Sequence, residues 1–215
     1  MHPIELEVRA EIQAREREEV AARLIQAGFI IQNVAHRTML MSFGRIGRIA
    51  EDEDRGTAET DIRCRITNGE AEVVVKIGGV HAHDRKEMST PIQPAMLPAF
   101  ARVIGALNMF HKVGSRVTTN YARERITASI VSSPSGLAYL ELEKMSDETH
   151  AENDRKELTA LAETLGVTLL ADREAFMDFC TRLTKCDDWP FQGSESEIER
   201  FMKEAKETGA SQTRT

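Results

Sequence analysis

Apolar and charged residues alternate one for one in several short stretches of this chain. The first is Ile4-Glu5-Leu6-Glu7-Val8-Arg9. A strand has a two-residue side-chain period, so Glu5, Glu7 and Arg9 fall on one face and Ile4, Leu6 and Val8 on the other. The pattern recurs in Asp61 to Ile66 and Glu72 to Ile77, where Asp61, Arg63 and Arg65 oppose Ile62, Cys64 and Ile66, and Glu72, Val74 and Lys76 oppose Val73, Val75 and Ile77. Thr67-Asn68-Gly69 between these two segments predicts a hairpin. Arg85 to Ser89 reads as a short strand, with Arg85 and Glu87 sharing a face. Further strands are predicted over Ala122 to Val131, with Arg123, Arg125, Thr127 and Ser129 on one face, and over Ala138 to Glu143, with Glu141 and Glu143 together.

Between the strands the period changes to that of a helix. Ala14 to Ala27 carries Val20, Leu24 and Ile25 on one stripe and stops at Gly28. Pro94 to Leu107, Ala151 to Leu165, Asp172 to Leu183 and Glu195 to Glu207 read as further helices. Phe29 to Phe43 is β-like in parts, and Gly44 to Thr60 is a loop whose Glu51-Asp52-Glu53-Asp54 run reads as a solvated turn. Trp189-Pro190 marks a change of character. The chain is accordingly read as a domain over residues 1–186 and a helical or flexible extension over 187–215.

Two architectures suit strands with one apolar and one charged face. An antiparallel sheet can cover helices with its apolar side and leave the charged side in water. Alternatively the sheet closes into a barrel, with helices outside and charges lining a hydrated lumen. The charged faces are rich in Arg and Glu, with Lys76 the main lysine, and arginine suits planar recognition of phosphate oxygens. Two glutamates on one face suit a hard divalent cation.

Composition narrows the setting. The 215 residues are 41% hydrophobic and 29% charged, and the net charge of −7 argues against a general nucleic-acid binder. No apolar run approaches the roughly 20 residues of a membrane span, and the first residues lack a secretory layout, so no membrane partner and a cytoplasmic location are expected. Cys64, Cys180 and Cys186 have no CxxC spacing and suggest neither a disulfide framework nor a zinc site. His81-x-His83 sits in a glycine-flanked loop, and Gly78-Gly79 lacks the rest of a P-loop pattern.

The charged strands, taken in order, resemble the CYTH family, the triphosphate tunnel metalloenzymes, which includes class IV adenylate cyclases, thiamine triphosphatases and inorganic tripolyphosphatases. Glu5-x-Glu7-x-Arg9 resembles the opening ExExK signature with arginine for lysine. Arg63-Cys64-Arg65 is similar to the paired-basic strand, Val75-Lys76-Ile77-Gly78-Gly79 to the lysine-then-glycine strand end, and Arg85-Lys86-Glu87 to the arginine–glutamate strand. Arg116 matches a following arginine, and Leu137 to Glu143 resembles the segment that ends in Glu-x-Glu. Asp172-Arg173-Glu174-Ala175-Phe176 is similar to the later helix start. Ser129 stands where many members have an aspartate, and His36-Arg37-Thr38-Met39-Leu40 replaces an aspartate-x-tyrosine strand.

The resemblance implies an α+β protein built on a closed antiparallel β-barrel, a triphosphate tunnel, with flanking helices. It implies that Arg9, Arg63, Arg65, Lys76, Arg85 and Arg116 hold phosphate oxygens, with Arg125 as an addition from its strand face. Glu5, Glu7, Glu141 and Glu143 would hold Mg²⁺ or Mn²⁺, and Glu5, Glu7, Arg9 and Lys76 would carry the catalysis. Glu87 is left either to the site or to a salt bridge that orients an arginine. The implied activity is metal-dependent hydrolysis of a small-molecule triphosphate: inorganic tripolyphosphate, thiamine triphosphate or a nucleoside triphosphate. The alternatives are a class IV-type adenylate cyclase and a non-catalytic polyphosphate- or nucleotide-binding module. The oligomeric state is open, a homodimer included.

Overall fold

The computed structural model describes residues 4–45, 59–77, 86–147, 149–170 and 172–210. Its elements are mixed α and β. Nine strands follow the chain as β1 (Ile4–Ile12), β2 (Ile30–Arg45), β3 (Glu59–Thr67), β4 (Glu70–Ile77), β5 (Lys86–Ile92), β6 (Phe110–Arg123), β7 (Ile126–Ser132), β8 (Ala138–Ser146) and β9 (Trp189–Pro190). The helices are α1 (Arg17–Gln26), α2 (Leu97–Gly105), α3 (Ala151–Thr164), α4 (Arg173–Asp187) and α5 (Glu195–Ala210). Strand neighbours follow the order β1-β8-β7-β6-β2-β3-β4-β5, with β9 beside β6. The ladders whose registers are described are antiparallel.

Among the described residues no β1–β5 pairing closes that order, so the closed ladder expected from sequence is not seen. On β1 a different segment is bonded near the middle. Leu169 forms an antiparallel bridge with Ala10, and Leu170 N–H donates to the Arg9 carbonyl at 2.8 Å. Those bonds use backbone groups that a closing strand would need there.

The chain divides into two compact units, residues 1–35 with 116–187, and residues 36–115 with 188–215. In the first, Leu6, Val8, Ala10 and Ile12 of β1 and Leu140 and Leu142 of β8 bury one sheet face under Val20 and Leu24 of α1 and Leu158, Leu161 and Leu165 around α3. The strict alternation of β1 sends every second residue to this core and leaves Glu5, Glu7, Arg9 and Glu11 on the other face. Gly28 ends α1 at φ 87°, donating to the Ile25 carbonyl at 3.0 Å, a left-handed position that favours glycine.

In the second unit, Leu40, Cys64, Ile66 and Ala71 of the sheet meet Leu97, Ala101 and Ile104 of α2 and Ile198, Phe201 and Ala205 of α5. The segment read from sequence as an extension thus supplies part of this core, Phe191 included. Gly105 lets two backbones touch: a Cβ there would stand 2.7 Å from Gly193 Cα. The β3–β4 hairpin turns at Asn68 (φ 53°) and Gly69 (φ 90°), as its sequence predicts.

One predicted strand is instead a hairpin. The span Ala122 to Val131 breaks at Glu124, which takes φ 53°, and Arg123 pairs with Ile126 across a two-residue turn. With neither glycine nor asparagine at that turn, the usual sequence signal is absent. No described helix is long and apolar enough to cross a membrane.

Candidate functional site

The charged face of the first unit is built by register. Glu7 lies across from Glu143 and Arg9 across from Glu141 in the β1–β8 ladder, and β8 in turn sets Ser129 beside Glu141 and Thr127 beside Glu143 on β7. Residues directly opposite in a ladder share a face and their side chains meet. Glu7, Glu141 and Glu143 consequently converge, each offering a carboxylate oxygen within 4.8 Å of the others. Thr127 Oγ1 donates to Glu143 Oε2 at 3.3 Å, and Ser129 Oγ donates to Asn120 Oδ1 at 2.9 Å.

Arg9 sits within this cluster. Its Nη2 lies 2.5 Å from Glu7 Oε1, its Nε donates to Glu141 Oε1 at 2.8 Å, and its guanidinium carbon lies 5.1 Å from the Phe176 ring centroid. Burial pushes the Glu7 carboxyl well above its ordinary range and the neighbouring Glu141 charge adds to the shift, while Arg9 opposes it. For Arg9 burial acts to lower the pKa, but the charges of Glu7 and Glu141 outweigh it and hold the guanidinium above its ordinary value.

Three hard oxygen donors at this separation fit a Mg²⁺ or Mn²⁺ ion that completes its shell with water or phosphate oxygens. Charge also favours the fit. Among the described residues, the three carboxylates of this cluster, when ionised, face the one guanidinium of Arg9.

The face extends beyond these residues. Glu11, next in the alternation and absent from the sequence-based set, accepts two bonds from Arg182 of α4 at 2.7 and 2.6 Å. Phe179 on the same helix meets Tyr139 of β8 edge-on at 5.4 Å, so Phe176 and Phe179 both lie against charged-face residues. Asp187 at the end of α4 accepts bonds from Ser135 N–H and Oγ, both at 2.6 Å. Its carboxyl is exposed to burial, which raises the pKa, yet the bonds from Ser135 and Ser133 and the charge of Arg116 hold it below its ordinary value.

The second unit carries a separate charged wall. Arg63 binds Asp61 through Nε (3.0 and 3.1 Å) and Nη2 (2.6 Å), Arg65 Nε donates to Glu72 Oε1 at 2.7 Å, and Lys76 Nζ lies 2.5 Å from Glu87 Oε2. Asp61 is buried. Burial acts to raise the Glu87 pKa, but Lys76, with Arg65 and Arg63 behind it, holds the carboxyl below its ordinary range. Glu87 therefore makes a salt bridge, to a lysine where the sequence suggests an arginine. Each of the three cations read as phosphate ligands here has a carboxylate partner, and the three pairs sum to no net charge.

Glu5 lies on the β1 charged face opposite Met145, and does not join the carboxylate cluster found among the described residues. Arg116 on β6 is buried. Arg125 is in the exposed β6–β7 turn rather than on a strand, so the shared face inferred for it is lost, and Arg123 donates to the Ala27 carbonyl at 2.8 Å and covers Phe29. Arg85, His81, His83 and the run Glu51 to Asp54 lie outside the described residues.

Several solved structures share the fold. The PH1819 protein of Pyrococcus horikoshii OT3 superposes with a TM-score of 0.60 at 14% identity, over 83% of this chain and 98% of its own. The PH1012 protein of the same organism gives 0.58 at 15%, over 77% and 92%. A proposed adenylate cyclase of Vibrio parahaemolyticus gives 0.56 at 14%, over 92% and 98%. No protein-family model and no curated protein matches the chain. At these identities the likenesses show a shared fold alone, one consistent with the fold that the resemblance of the charged strands implies.

Proposed function

We propose that this protein binds a triphosphate together with a divalent cation and hydrolyses it. The observation that carries this reading is the convergence of Glu7, Glu141 and Glu143 beside Arg9. Glu7, Glu141 and Glu143 would hold Mg²⁺ or Mn²⁺, which supplies charge neutralisation and polarises a phosphoryl oxygen when bound. Glu5, from the same strand face, would act through water. Arg9 offers a planar fork that fits phosphate as well as carboxylate.

Arg63, Arg65 and Lys76 supply phosphate contacts in their own right, by exchanging a carboxylate partner for a phosphate oxygen. Arg116 and Arg85 belong to the same proposed set. Because these three ion pairs carry no net charge between them, affinity for a polyanion depends on a bound divalent cation. In the hydrolysis, water attacks the terminal phosphorus, the bridging P–O bond breaks, and orthophosphate leaves with a diphosphate product.

The cyclase reading is favoured by one observation, the fold shared with the Vibrio protein. In that reaction the ribose 3′ hydroxyl attacks the α-phosphorus and pyrophosphate leaves. Incubation with tripolyphosphate, thiamine triphosphate or ATP, each with Mg²⁺ or Mn²⁺, separates the readings by product. Orthophosphate release supports hydrolysis. Cyclic AMP with equal pyrophosphate supports cyclisation, and binding without turnover assigns a non-catalytic module.

A further inference from the structure

The carboxylate cluster already contains a cation of its own. Arg9 bridges Glu7 Oε1, 2.5 Å from its Nη2, and Glu141 Oε1, 2.8 Å from its Nε, so one guanidinium draws on two of the three acids. Its side chain keeps about a fifth of its surface open (22%), and one flank rests on Phe176, 5.1 Å from the ring centroid.

Building on the metal role proposed above, we propose that Arg9 is a tethered counter-ion that competes with the divalent cation for Glu7 and Glu141. Metal loading then releases its guanidinium to phosphate, and the two ligands bind cooperatively, metal first.

The chemistry of the pair supports exchange. A guanidinium presents the same planar donor fork to a carboxylate and to a phosphate, so the partner can change while the hydrogen bonding survives. A divalent ion on Glu7 and Glu141 would repel the guanidinium beside them and withdraw the negative charge that holds it. Phe176 offers a cation–π surface that does not depend on either acid, so Arg9 retains support when the carboxylates are taken. An ammonium at this position lacks both the fork and the flat face, which makes the arginine itself part of the device.

The test is Mn²⁺ binding to the full-length protein, read as free Mn²⁺ by electron paramagnetic resonance, with and without tripolyphosphate. Arg9→Met keeps an unbranched apolar stem beside Phe176 and removes the charge. Its affinity for Mn²⁺ alone is expected to rise roughly tenfold over the wild type, a typical size for coupled sites. The gain in Mn²⁺ affinity that tripolyphosphate gives the wild type is expected to shrink below about twofold in the variant, as the coupling is lost.

Equal or weaker Mn²⁺ binding by Arg9→Met overturns the competition and leaves the metal role standing. No Mn²⁺ binding by either protein overturns both. A second measurement avoids any dependence on the variant's folding. In wild-type ¹⁵N spectra, the Arg9 Nε–H signal, assigned by its absence from Arg9→Lys, is expected to move and exchange faster as Mg²⁺ alone is added. A signal unmoved while Mg²⁺ binds contradicts the proposal.

Discussion

Replacing Glu7 with glutamine should make the metal-free protein more stable and the metal-loaded protein comparatively less so. Two repulsions act on the ionised carboxylate, from Glu141 and Glu143. With oxygens no more than 4.8 Å apart and an effective dielectric of about 20, each is worth at least about 3.5 kcal/mol. The attraction of Arg9 at 2.5 Å is worth about 6.6 kcal/mol on the same scale, so the two repulsions at least offset it.

Burial of the ionised group then decides the sign, in line with the raised Glu7 pKa. A gain of about 1 kcal/mol for Glu7→Gln without metal corresponds to a rise of about 2–4 °C in Tm for a domain of this size. Saturating metal reverses the order. At one hundred times Kd a cation that binds only the native state adds about 2.7 kcal/mol to the wild type, or roughly 5–11 °C. The variant, short of one ligand, should gain less than about half of that shift at the same concentration. Thermal unfolding followed by circular dichroism, with EDTA and then with Mn²⁺, reads both effects. A variant that is less stable than wild type in EDTA, or that gains the same shift with Mn²⁺, would refute the assignment.

Other perturbations test separate parts of the structure. The raised Glu7 pKa means that the folded state binds the proton more tightly than the unfolded state. Its contribution to stability is full below the ordinary value of 4.5 and is lost as pH rises through the folded value, so urea midpoints in EDTA should fall from about pH 4.5 upward and flatten in Glu7→Gln. Glu87 has the opposite sign: its pairing with Lys76 stabilises the fold above 4.5 and is lost as pH falls through the depressed value, an acid-side slope that Lys76→Met should reduce. Gly105→Ala places a methyl 2.7 Å from Gly193 Cα and should cost about 1–3 kcal/mol in urea unfolding, the usual range for overpacking. Arg125→Ala, in an exposed turn, should leave tripolyphosphate affinity within about twofold of wild type by calorimetry.

The local parts of the fold are legible in the sequence. Period-two alternation sorts Leu6, Val8, Ala10 and Ile12 from Glu7, Arg9 and Glu11, and Asn68-Gly69 announces the β3–β4 hairpin. The partners of those charges are another matter, because register between distant strands is set by packing across the whole sheet. Alternation places Glu141 and Glu143 together but does not say that β8 lies beside β1, nor that Arg9 faces Glu141 and Glu5 faces Met145. Likewise Asp61, Arg63 and Arg65 are visibly on one face, while the pairing of Arg65 with Glu72 follows only from the β3–β4 register.

The turn at Glu124 is hidden for a different reason. A glutamate in the left-handed region carries no composition signal, so two strands read as one and the alternation assigns Arg125 to a face it does not occupy. The resemblance supplied the order of the charged strands. The structure adds the ion pairs that match Arg63, Arg65 and Lys76 with Asp61, Glu72 and Glu87.

The most direct measurement is anomalous diffraction from crystals of the protein soaked in Mn²⁺. An ion bound directly by oxygens of Glu7, Glu141 and Glu143 is the predicted result. Manganese bound only at other carboxylates, or none at a concentration that saturates binding in solution, would contradict the account.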